Sequence, residues 1–559
     1  MPSSTSTAPT RSKLRSTLCK GVAAIVVAAA VGASLFTNDS VSASINEKRI
    51  ERLNATIENI YTADYQQMAD DNLAKKRDAK EHTFDSIFIA ANPYGTNTMS
   101  LYVYFTTDQP TSVSYTVHAD GYPDFAQTVA QDEQYQTEHE FTVLGLIPGV
   151  KNTITFTSTD ANGSMAARTV TRTGAQLLGV EEVQLEQTQQ VASGTDLGDG
   201  LYAILGNDSN EQDFMFYYDT NGVLRSEIPL LYYRSHRLLF DDNGLMWFSA
   251  STKHFVGMNR FGKLEKIIDL GDRFILHHDY ALDDDGNIVS LATDLTRSDH
   301  AVQDQVIKVN TSTGKVTKLV DFGEMFPDYK ASTDHSGIDE SDPTASGRWD
   351  WIHFNTIQLL PDGSALLSAR ETSTIIKVND IEGTPSLDYM IGEPSVWDGT
   401  SYVDSFLTKI GDFGDTGGQH SITYVDDPSL PDGQYYIYMF DNNFGYAMTR
   451  PDYDWTTIAD ISTAKSSKDK DSRSQYRRYL VDENAGTYTE VSAFDVPYSP
   501  YVSSAQELDN GNILIDTGMQ GLFGVYDTDG DLLAQYKMAL NTSYVYRVYQ
   551  YDFKGFYFA

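Results

Sequence analysis

The sequence predicts an all-β protein: a six-bladed β-propeller preceded by a small N-terminal β-sandwich and a short N-terminal helix. Three observations support this fold class, namely a length of 559 residues, an abundance of Tyr (35) and Gly (40), and a hairpin pattern that recurs along the chain. A chain of this length exceeds one ordinary hydrophobic core, so several domains or a large repeat are expected. Tyr favours strands and Gly favours turns, which indicates strands joined by tight turns. A pair of sandwiches or a barrel is the alternative architecture.

The composition excludes a disordered chain and argues against a nucleic-acid partner. Hydrophobic residues make up 40% of the chain and aromatic residues 12%, which is enough to build a core. The formal net charge is −37, and a polyanion would be repelled by the field of such a protein. An acidic, solvated surface suits a protein outside the cell. An anionic ligand would then need local Arg and His residues that oppose the global charge.

Residues 1–43 have the pattern of an export signal. Basic residues are followed by an apolar run at 21–36 and by a plausible cleavage site at 41–43. The run is shorter than the roughly 20 residues that a spanning helix needs, so cleavage is favoured over a retained anchor. The single cysteine, Cys19, precedes the run, which is the wrong place for a lipid anchor. We expect an exported protein, extracellular, at the cell surface or periplasmic, without stable membrane insertion; a homodimer stays open.

Residues 45–80 predict a helical segment and residues 82–175 predict the N-terminal β-sandwich domain. Apolar residues recur at helical spacing through the first of these segments. From 82 onward the pattern changes to alternating strands, including two that are separated by a predicted turn at Asp108-Gln-Pro. A compact sandwich fits this span, and nothing in it suggests catalysis.

Residues 176–559 carry the repeat that predicts the propeller, which we expect to be the catalytic domain. Turn signals divide it into six units, near 197–230, 233–270, 276–321, 351–390, 418–495 and 501–555. Six four-stranded sheets around a channel make a β-propeller. The acidic turns superficially fit calcium loops, but no bidentate Glu follows at the required spacing, so they are interpreted as hairpin turns.

A register argument places polar residues at the same point of several innermost strands. Eight residues before the turn glycine stand His236, His278, Asn355 and Ser503 in four of the units. If the turns are equivalent, these positions share one place on the strands that line the central channel. His420 opens a comparable strand in another unit. A shared polar site on the propeller axis is therefore predicted; the alternative is chance alignment or strand capping.

Neighbouring positions extend this predicted site. Side chains alternate along a strand, so His277 should point away from His278 and is interpreted as structural. His353 lies two residues before Asn355 on the same face of its strand, and Arg370 follows the turn on the adjacent strand. Both are placed to reach the same cavity.

Several imidazoles with one guanidinium, and no paired carboxylates, suit the binding and transfer of a tetrahedral oxyanion. Arg meets sulfate or phosphate with a planar fork, and neutral His can act as nucleophile, acid or base. A three-His metal site is the competing interpretation, but the chain lacks His-x-His and His-Glu-x-x-His spacings. It also lacks a Gly-rich phosphate loop, so we expect no nucleotide donor, no cofactor and no metal. Aromatic candidates to stack on a substrate ring are Tyr280, Phe354, Phe413 and Phe444.

Three motifs resemble those of the bacterial arylsulfate sulfotransferases. They are His277-His-Asp279 before an Asp-Gly-Asn turn, Trp351-Ile-His-Phe-Asn355 leading to Ser368-Ala-Arg370, and Gly418-Gln-His420. The similarity covers roughly residues 85–555 and includes the sandwich. The resemblance implies a six-bladed propeller that moves a sulfuryl group from a phenolic sulfate ester to an acceptor phenol. It further implies a ping-pong mechanism through a sulfohistidine, independent of the nucleotide donor PAPS.

The resemblance also implies roles for single residues. His420 would be the nucleophile, with His278, His353 and Arg370 as further catalytic residues and Asn355 as a substrate-binding residue. His236 is nominated for substrate binding by the register argument alone. The family's Gram-negative members carry a disulfide near the active site, which a chain with one cysteine cannot form. Segment 410–418, before His420, should then be held by packing alone.

Two other functions stay open at this point. One is a non-catalytic propeller that binds extracellular ligands, and the other is a metal-dependent propeller hydrolase or lactonase. Release of nitrophenol from p-nitrophenyl sulfate separates the three functions: transfer depends on an acceptor phenol and survives EDTA, metal-dependent hydrolysis stops with EDTA, and a binder releases nothing.

Overall fold

The computed structural model describes residues 35–189, 191–206, 213–336, 348–540 and 544–559, with side chains from residue 48. The chain divides into two compact units, Met1–Glu58 and Asn59–Ala559. The basic part of the predicted export signal and residues 21–34 of its apolar run lie outside the described residues, and a helix covers the predicted cleavage site at 41–43. Among the described helices, none combines the length and the hydropathy that crossing a membrane requires.

Two helices precede the first strand in the described part of the chain, where the sequence predicted one helical segment. Helix α1 spans Leu35–Ile60 and helix α2 spans Ala63–Arg77. The chain leaves helical geometry at Thr62, whose hydroxyl accepts a hydrogen bond from Tyr65 N at 3.2 Å and caps helix α2. The cap explains the break, because it satisfies a backbone donor that the first turn of a helix leaves open.

Helix α2 joins the two β domains. The side-chain amide of Gln66 donates to Tyr94 O at 3.2 Å, and its carbonyl accepts from Leu264 N at 3.1 Å. Asp70 on the same helix accepts from Tyr94 and from Lys263, at 2.7 and 3.0 Å. These contacts give the helix a packing role between sandwich and propeller.

The N-terminal β-sandwich is built around one long strand. Its strands are β1 (Phe88–Ala91), β2 (Leu101–His118), β3 (Phe125–Thr128), β4 (Gln136–Val143), β5 (Lys151–Asp160) and β6 (Met165–Thr173). The first half of β2 pairs with β1 and β4, and its second half pairs with β3 and β5. The two halves pack face to face through Phe105, Phe141 and Phe156, whose successive ring centroids lie 6.1 Å apart.

The turn predicted at Asp108-Gln-Pro does not reverse the chain. Strand β2 runs through it, and only its pairing with β4 shifts, between Thr106 and Thr111. Pro110 removes one backbone donor, which interrupts the hydrogen bonds to the neighbouring strand. Its φ is still compatible with an extended chain, so β2 continues into the other layer of the sandwich. The predicted two strands are therefore one.

Twenty-six strands build the propeller. They are β7 (Glu186–Gln189), β8 (Leu201–Ile204), β9 (Phe214–Tyr218), β10 (Leu224–Pro229), β11 (Leu239–Phe240), β12 (Leu245–Ser249), β13 (His254–Asn259), β14 (Leu264–Asp269), β15 (Phe274–Leu282), β16 (Ile288–Asp294), β17 (Gln305–Val309), β18 (Val316–Asp321), β19 (Phe354–Leu359), β20 (Ala365–Ala369), β21 (Thr374–Asn379), β22 (Ser386–Ile391), β23 (Thr408–Lys409), β24 (His420–Val425), β25 (Gln434–Asp441), β26 (Ser474–Asp482), β27 (Thr487–Val496), β28 (Ser504–Glu507), β29 (Ile513–Thr517), β30 (Leu522–Tyr526), β31 (Leu532–Lys537) and β32 (Val548–Tyr551). Among the described residues, short helices interrupt these strands: α3 (Phe322–Met325), α4 (Pro327–Ser332) and 3-10 turns at Pro394–Trp397, Ser401–Ser405, Trp455–Thr457 and Gly518–Gln520.

These strands form six sheets, and the predicted six-bladed propeller is confirmed. From the axis outward, blade one contains β32, β8, β9 and β10, blade two β11–β14, blade three β15–β18 and blade four β19–β22. Blade five contains β24–β27 with β23 outermost, and blade six contains β28–β31 with β7 outermost. Apolar side chains fill the spaces between blades, as Trp351, Phe354 and Trp397 do in one large cluster.

Both ends of the propeller segment close the ring. The C-terminal strand β32 pairs with β8, Val548 opposite Ile204, and completes blade one. The N-terminal strand β7 pairs with β31, Glu186 opposite Lys537, and extends blade six. The sequence assigned 501–555 to a single unit, but its final strand belongs to the first blade. This exchange pairs backbone groups that would otherwise stay open at the two ends of the ring.

Candidate active site

The innermost strands are irregular near several of the predicted site residues. Positive backbone φ angles recur there at Tyr233 (71°), His278 (57°), His353 (55°), Ser421 (50°) and Ser503 (88°). A left-handed φ costs a non-glycine residue on the order of 1–3 kcal/mol and persists only where the surroundings enforce it. Such positions cluster at functional sites, and here they recur in five of the six blades.

A bulge in strand β15 overturns the predicted separation of His277 from His278. The pairing of β15 with β16 shifts between Leu276 and Tyr280, so the alternation of side chains is lost in between. His277 Nδ1 lies 3.0 Å from His278 Nδ1. His277, predicted to be structural and turned away, is therefore in direct contact with a candidate catalytic residue.

His278, His353 and Arg370 meet from two blades. The ring centroids of His278 and His353 lie 4.7 Å apart. Arg370 Nη2 lies 3.4 Å from His353 Nδ1. The side chains of His353 and Arg370 are 14% and 12% exposed, so the cluster reaches solvent through a narrow edge only.

His420 joins this cluster with one defined tautomer. Its Nδ1 lies 2.6 Å from Asn442 Oδ1 and 3.0 Å from Gly418 O. The amide nitrogen of Asn442 donates to Ser499 O and Val502 O, so Asn442 Oδ1 can only accept. His420 Nδ1 must therefore carry the proton, which leaves the lone pair on Nε2.

Burial keeps the imidazoles neutral. It lowers the pKa of His420 to about 3, which Asn442 opposes and the charge of Arg370 reinforces. Burial also holds the pKa of His353 well below its usual value, and the charges of Arg370 and Arg234 lower it further. For His278 the pKa is likewise held well below normal, by burial first and by the His353 ring second. The site thus offers neutral imidazoles among fixed cations, a local field that opposes the acidic charge of the whole chain.

Asn355 and His236, the two predicted substrate-binding residues, lie deeper. Asn355 is fully buried, and its amide donates to Gln419 O at 2.8 Å, directly before the candidate nucleophile. His236 is also fully buried; its Nδ1 lies 3.2 Å from Ser249 Oγ, and its ring packs 5.4 Å from that of Tyr546. Asn355 thus ties blade four to the start of strand β24.

Two buried carboxylates contradict the expectation that the site lacks paired acids. Glu371 Oε1 lies 2.5 Å from Arg370 Nη2, and Asp350 Oδ2 bonds His353 Nδ1. Burial raises the pKa of Asp350 and of Glu371 to about 7, and the charge of Arg370 opposes the rise. The sequence held a signal for both, since one follows Arg370 directly and the other stands three residues before His353.

A second guanidinium, also missed from the sequence, lies near His278. Arg234 Cζ stands 3.9 Å from the Tyr546 ring centroid, and Arg234 Nη1 donates to Tyr544 OH at 3.1 Å. The Tyr546 ring in turn lies 5.8 Å from that of His278. The sequence could have indicated Arg234, because it stands two positions before His236 and leads into the same inner strand.

An aromatic wall stands beside Arg370. Phe444 packs against Tyr446 and Tyr501, with ring centroids 5.5 and 5.0 Å apart, and Arg370 Cζ lies 5.7 Å from the Tyr501 ring. Of the four aromatic candidates named from the sequence, Phe444 alone belongs to this wall. The others pack in or against the hydrophobic core: Tyr280, Phe354 and Phe413.

Hydrogen bonds and ion pairs hold the segment before His420, which corrects the expectation of packing alone. Gly417 N donates to Asp441 Oδ1 at 2.9 Å. Asp441 Oδ2 pairs with Arg477 Nε at 2.8 Å, and Arg477 Nη1 donates to Gly414 O at 3.1 Å. A buried carboxylate–guanidinium pair thus hydrogen-bonds to the backbone of this segment at Gly414 and Gly417. It stabilises the segment in a chain that cannot form a disulfide.

Other parts of the molecule do not add to the site. Within the described ranges, no three His, Cys, Asp or Glu side chains are arranged to hold a metal ion. A cavity of about 460 Å³ lies between the sandwich and the propeller, lined by acidic residues such as Asp124, Asp219 and Asp552. None of the six predicted site residues lines it.

Comparison with known proteins identifies the family. Residues 186–547 match the family model Arylsulfotransferase (ASST), and residues 88–174 match the Arylsulfotransferase Ig-like domain. No curated protein matches the sequence.

Several solved structures are similar to this chain at low identity. They include the C-terminal WD40 domain of Sif2 (10% identity, 66% of this chain and 92% of that chain, TM-score 0.32) and the WD40 domain of Toxoplasma gondii coronin (8%, 64% and 75%, TM-score 0.30). Streptogramin B lyase is similar at 11% identity, 64% of this chain and 97% of that chain, TM-score 0.27. Likeness at this level carries no argument about activity. The arylsulfotransferase model, in contrast, spans more than half of the chain, so this protein belongs to the arylsulfotransferase family and is an aryl-sulfate sulfotransferase.

Proposed function

We propose that this protein moves a sulfuryl group from a phenolic sulfate ester to an acceptor phenol by a ping-pong mechanism through a sulfohistidine, without PAPS. The observation that carries the proposal is the tautomer of His420. Its Nδ1 proton is committed to Asn442 Oδ1 and Gly418 O, so Nε2 keeps a lone pair for attack on sulfur. Burial lowers the pKa of His420 to about 3, so that lone pair is not lost to protonation near neutral pH.

In the first half-reaction, His420 Nε2 attacks sulfur and an N–S bond forms. The ester S–O bond breaks, and its electron pair leaves with the phenolate oxygen. Negative charge on the sulfuryl oxygens is met by Arg370, whose planar fork suits such an anion. Arg234 adds positive potential near His278. His278 and His353, neutral and adjacent, are placed to exchange protons or hydrogen bonds with the reacting oxygens.

In the second half-reaction, the oxygen of an acceptor phenol attacks the sulfur of sulfo-His420. The N–S bond breaks, its electron pair returns to Nε2, and the phenolic proton passes to a neighbouring imidazole. Both phenols would use the same aromatic wall of Phe444, Tyr446 and Tyr501, because a ping-pong cycle needs only one aryl site. Asn355 supports the reaction by holding Gln419 and hence the backbone of the nucleophile.

Independence from PAPS is supported by the chemistry of the site. The cations near the nucleophile, Arg370 and Arg547, sit among buried imidazoles and aromatic rings, and the sequence has no Gly-rich loop to cradle a nucleotide phosphate. We further propose that residues 1–43 direct export and are removed. N-terminal sequencing of the secreted protein tests that step.

The decisive experiment combines turnover with trapping. Purified protein is mixed with p-nitrophenyl sulfate, with and without phenol and with EDTA. Acceptor-dependent release that survives EDTA, together with a mass increase of one sulfuryl group on the peptide containing His420, is the expected result. Release without a labelled peptide, or release abolished by EDTA, would overturn the sulfohistidine mechanism.

A further inference from the structure

Asp350 and His353 form a buried acid–imidazole pair that the proposed mechanism has not yet used. Asp350 Oδ2 bonds His353 Nδ1, three residues along the chain. The other oxygen, Asp350 Oδ1, is buried and has no hydrogen-bond partner within the described part of the chain. The side chains are 10% and 14% exposed, so water reaches the pair poorly. A buried carboxylate with one orphaned oxygen is costly when ionised.

The surroundings raise the pKa of Asp350 and lower that of His353. Burial raises the pKa of Asp350 to about 7, and burial with the charges of Arg370 and Arg234 holds the pKa of His353 well below its usual value. The groups that act on the pair are the charged guanidinium of Arg370, which also pairs with Glu371, the charge of Arg234, and the neutral ring of His278. One proton shared across the short contact satisfies both members.

We propose that Asp350 is a positioning residue that makes His353 the proton carrier of the transfer reaction, the pair holding one proton that the leaving phenolate takes and the acceptor phenol returns. This inference rests on the proposed function. At rest, one proton is shared between Asp350 Oδ2 and His353 Nδ1, and a second proton is bound to His353 Nε2. When the S–O bond breaks, the phenolate oxygen takes the Nε2 proton and the shared proton settles on Nδ1, which leaves Asp350 ionised. When the acceptor oxygen attacks sulfur, its proton goes to Nε2 and the pair is restored.

The neighbouring His278 lacks such a partner. Its Nδ1 faces His277 Nδ1 at 3.0 Å, and among the described residues no carboxylate contacts its ring. The adjacent Asp279 is committed to Arg237 and Arg547, at 3.1 and 2.9 Å. His278 therefore has no carboxylate to supply a proton to its ring when the ring gives one up, which favours His353 as the proton carrier.

Leaving-group dependence tests the inference. Single-turnover release of phenol is measured from phenyl sulfate, whose phenolate needs a proton, and from 4-nitrophenyl sulfate, whose nitrophenolate does not. Asp350→Asn should slow release from phenyl sulfate by about 100-fold or more, the size of a general-acid contribution, and release from 4-nitrophenyl sulfate by less than about tenfold. The double variant Asp350→Asn/His353→Gln should be no slower with phenyl sulfate than His353→Gln, because Asp350 acts through that ring. Additive losses would contradict this.

Glu371→Gln is the matched control. It removes a second buried carboxylate, one that contacts Arg370 and not His353, so it should change release from both donors by the same factor. Asp350→Ser is measured beside Asp350→Asn, since the smaller side chain admits water and guards against a variant that fails to fold. An equal loss with both donors in either folded Asp350 variant would overturn the inference. Absence of transfer by the wild-type protein, or of sulfuryl on His420, would instead overturn the proposed function.

Discussion

At the scale of single residues, hydrogen-bond accounting decides the chemistry of the site. Asn442 donates both amide protons to backbone carbonyls, and this forces its oxygen to accept from His420 Nδ1. A histidine that is neutral, oriented and unable to move its Nδ1 proton is a prepared nucleophile. The same comparison of donors and acceptors leaves Asp350 Oδ1 without a hydrogen-bond partner among the described residues. Because an ionised Asp350 is costly there, the pair with His353 retains a shared proton.

Replacing the nucleophile should separate activity from stability. His420→Asn is expected to lower transfer by more than about 1000-fold, because no other group in the cluster can form the sulfuryl bond from that position. The thermal midpoint should change little, because the new amide keeps a donor for Asn442 Oδ1. Activity with p-nitrophenyl sulfate and thermal unfolding are the measurements.

A histidine outside the cluster provides the control for that variant. His254→Gln alters a half-buried side chain that contacts Ser251, and transfer should stay within about twofold of wild type. Near-normal turnover by His420→Asn would show that another residue accepts the sulfuryl group.

Glu371 should make stability depend on pH. Its folded pKa is raised to about 7 by burial, above the unfolded value, so its neutral form stabilises the fold at low pH and that contribution is lost as pH rises through 7. Relative to Glu371→Gln, the wild-type free energy of unfolding should fall by about 1 kcal/mol per pH unit between pH 5 and 7 and level off above. Thermal midpoints of both proteins across pH 5–8 measure the difference. A constant gap between them would contradict the raised pKa.

At the scale of secondary-structure elements, bulges and strand ends create the site. Regular pairing would send His277 and His278 to opposite faces, but the irregular stretch of β15 brings both rings to one side. The segment before β24 is also irregular, and hydrogen bonds to the Asp441–Arg477 pair hold its backbone. Precision at the nucleophile thus depends on elements that do not themselves touch substrate.

Breaking that pair should loosen the nucleophile. Asp441→Asn leaves Arg477 buried with only Glu490 as an acidic partner, so a loss of about 3 kcal/mol in the free energy of unfolding is expected. Transfer should fall as well, since Gly417 N loses a charged acceptor two residues before Gln419. Denaturant unfolding and turnover are the measurements.

A more exposed ion pair in the same segment gives the comparison. Lys409→Met breaks the pair with Asp415, in which the lysine is 31% exposed, and should cost less than about 1 kcal/mol. Equal losses from the two variants would mean that the buried pair has no special role.

At the scale of the whole molecule, closure of the ring keeps the six inner strands in register. The C-terminal strand β32 completes blade one next to the start of the propeller, and Arg547 directly precedes this strand. That guanidinium bonds Asp279 in blade three and Asn355 O in blade four across the axis. The closing strand therefore contributes to the frame on which the candidate site rests.

The two closing strands should differ in their contribution to stability. Val548→Pro removes a fully buried inner-strand donor that now reaches Ser504 Oγ and should cost about 3 kcal/mol or more. Gln187→Pro alters the exposed outer strand β7 and should cost about 1 kcal/mol. Denaturant unfolding compares the two, and a larger loss from Gln187→Pro would mean that the outer strand bears the closure.

Much of the architecture could be predicted because its signals are local. The turn glycines and period-two strands indicated six blades, and counting back from Gly286 and Gly363 reached His278 and Asn355. The same local reasoning was wrong at β15, where a bulge breaks the alternation that placed His277 on the opposite face. It was wrong again at Asp108-Gln-Pro, because a proline interrupts pairing without reversing the chain.

The sequence by itself determined the blade repeat and the strand positions of the imidazoles, since turn chemistry and alternation act between near neighbours. Only the tertiary structure decided that Asp350, Glu371 and Arg234 join them, and that Asn442 orients His420. Burial and long-range contacts set those properties, and neither can be read from spacing along a chain whose ends meet in one blade.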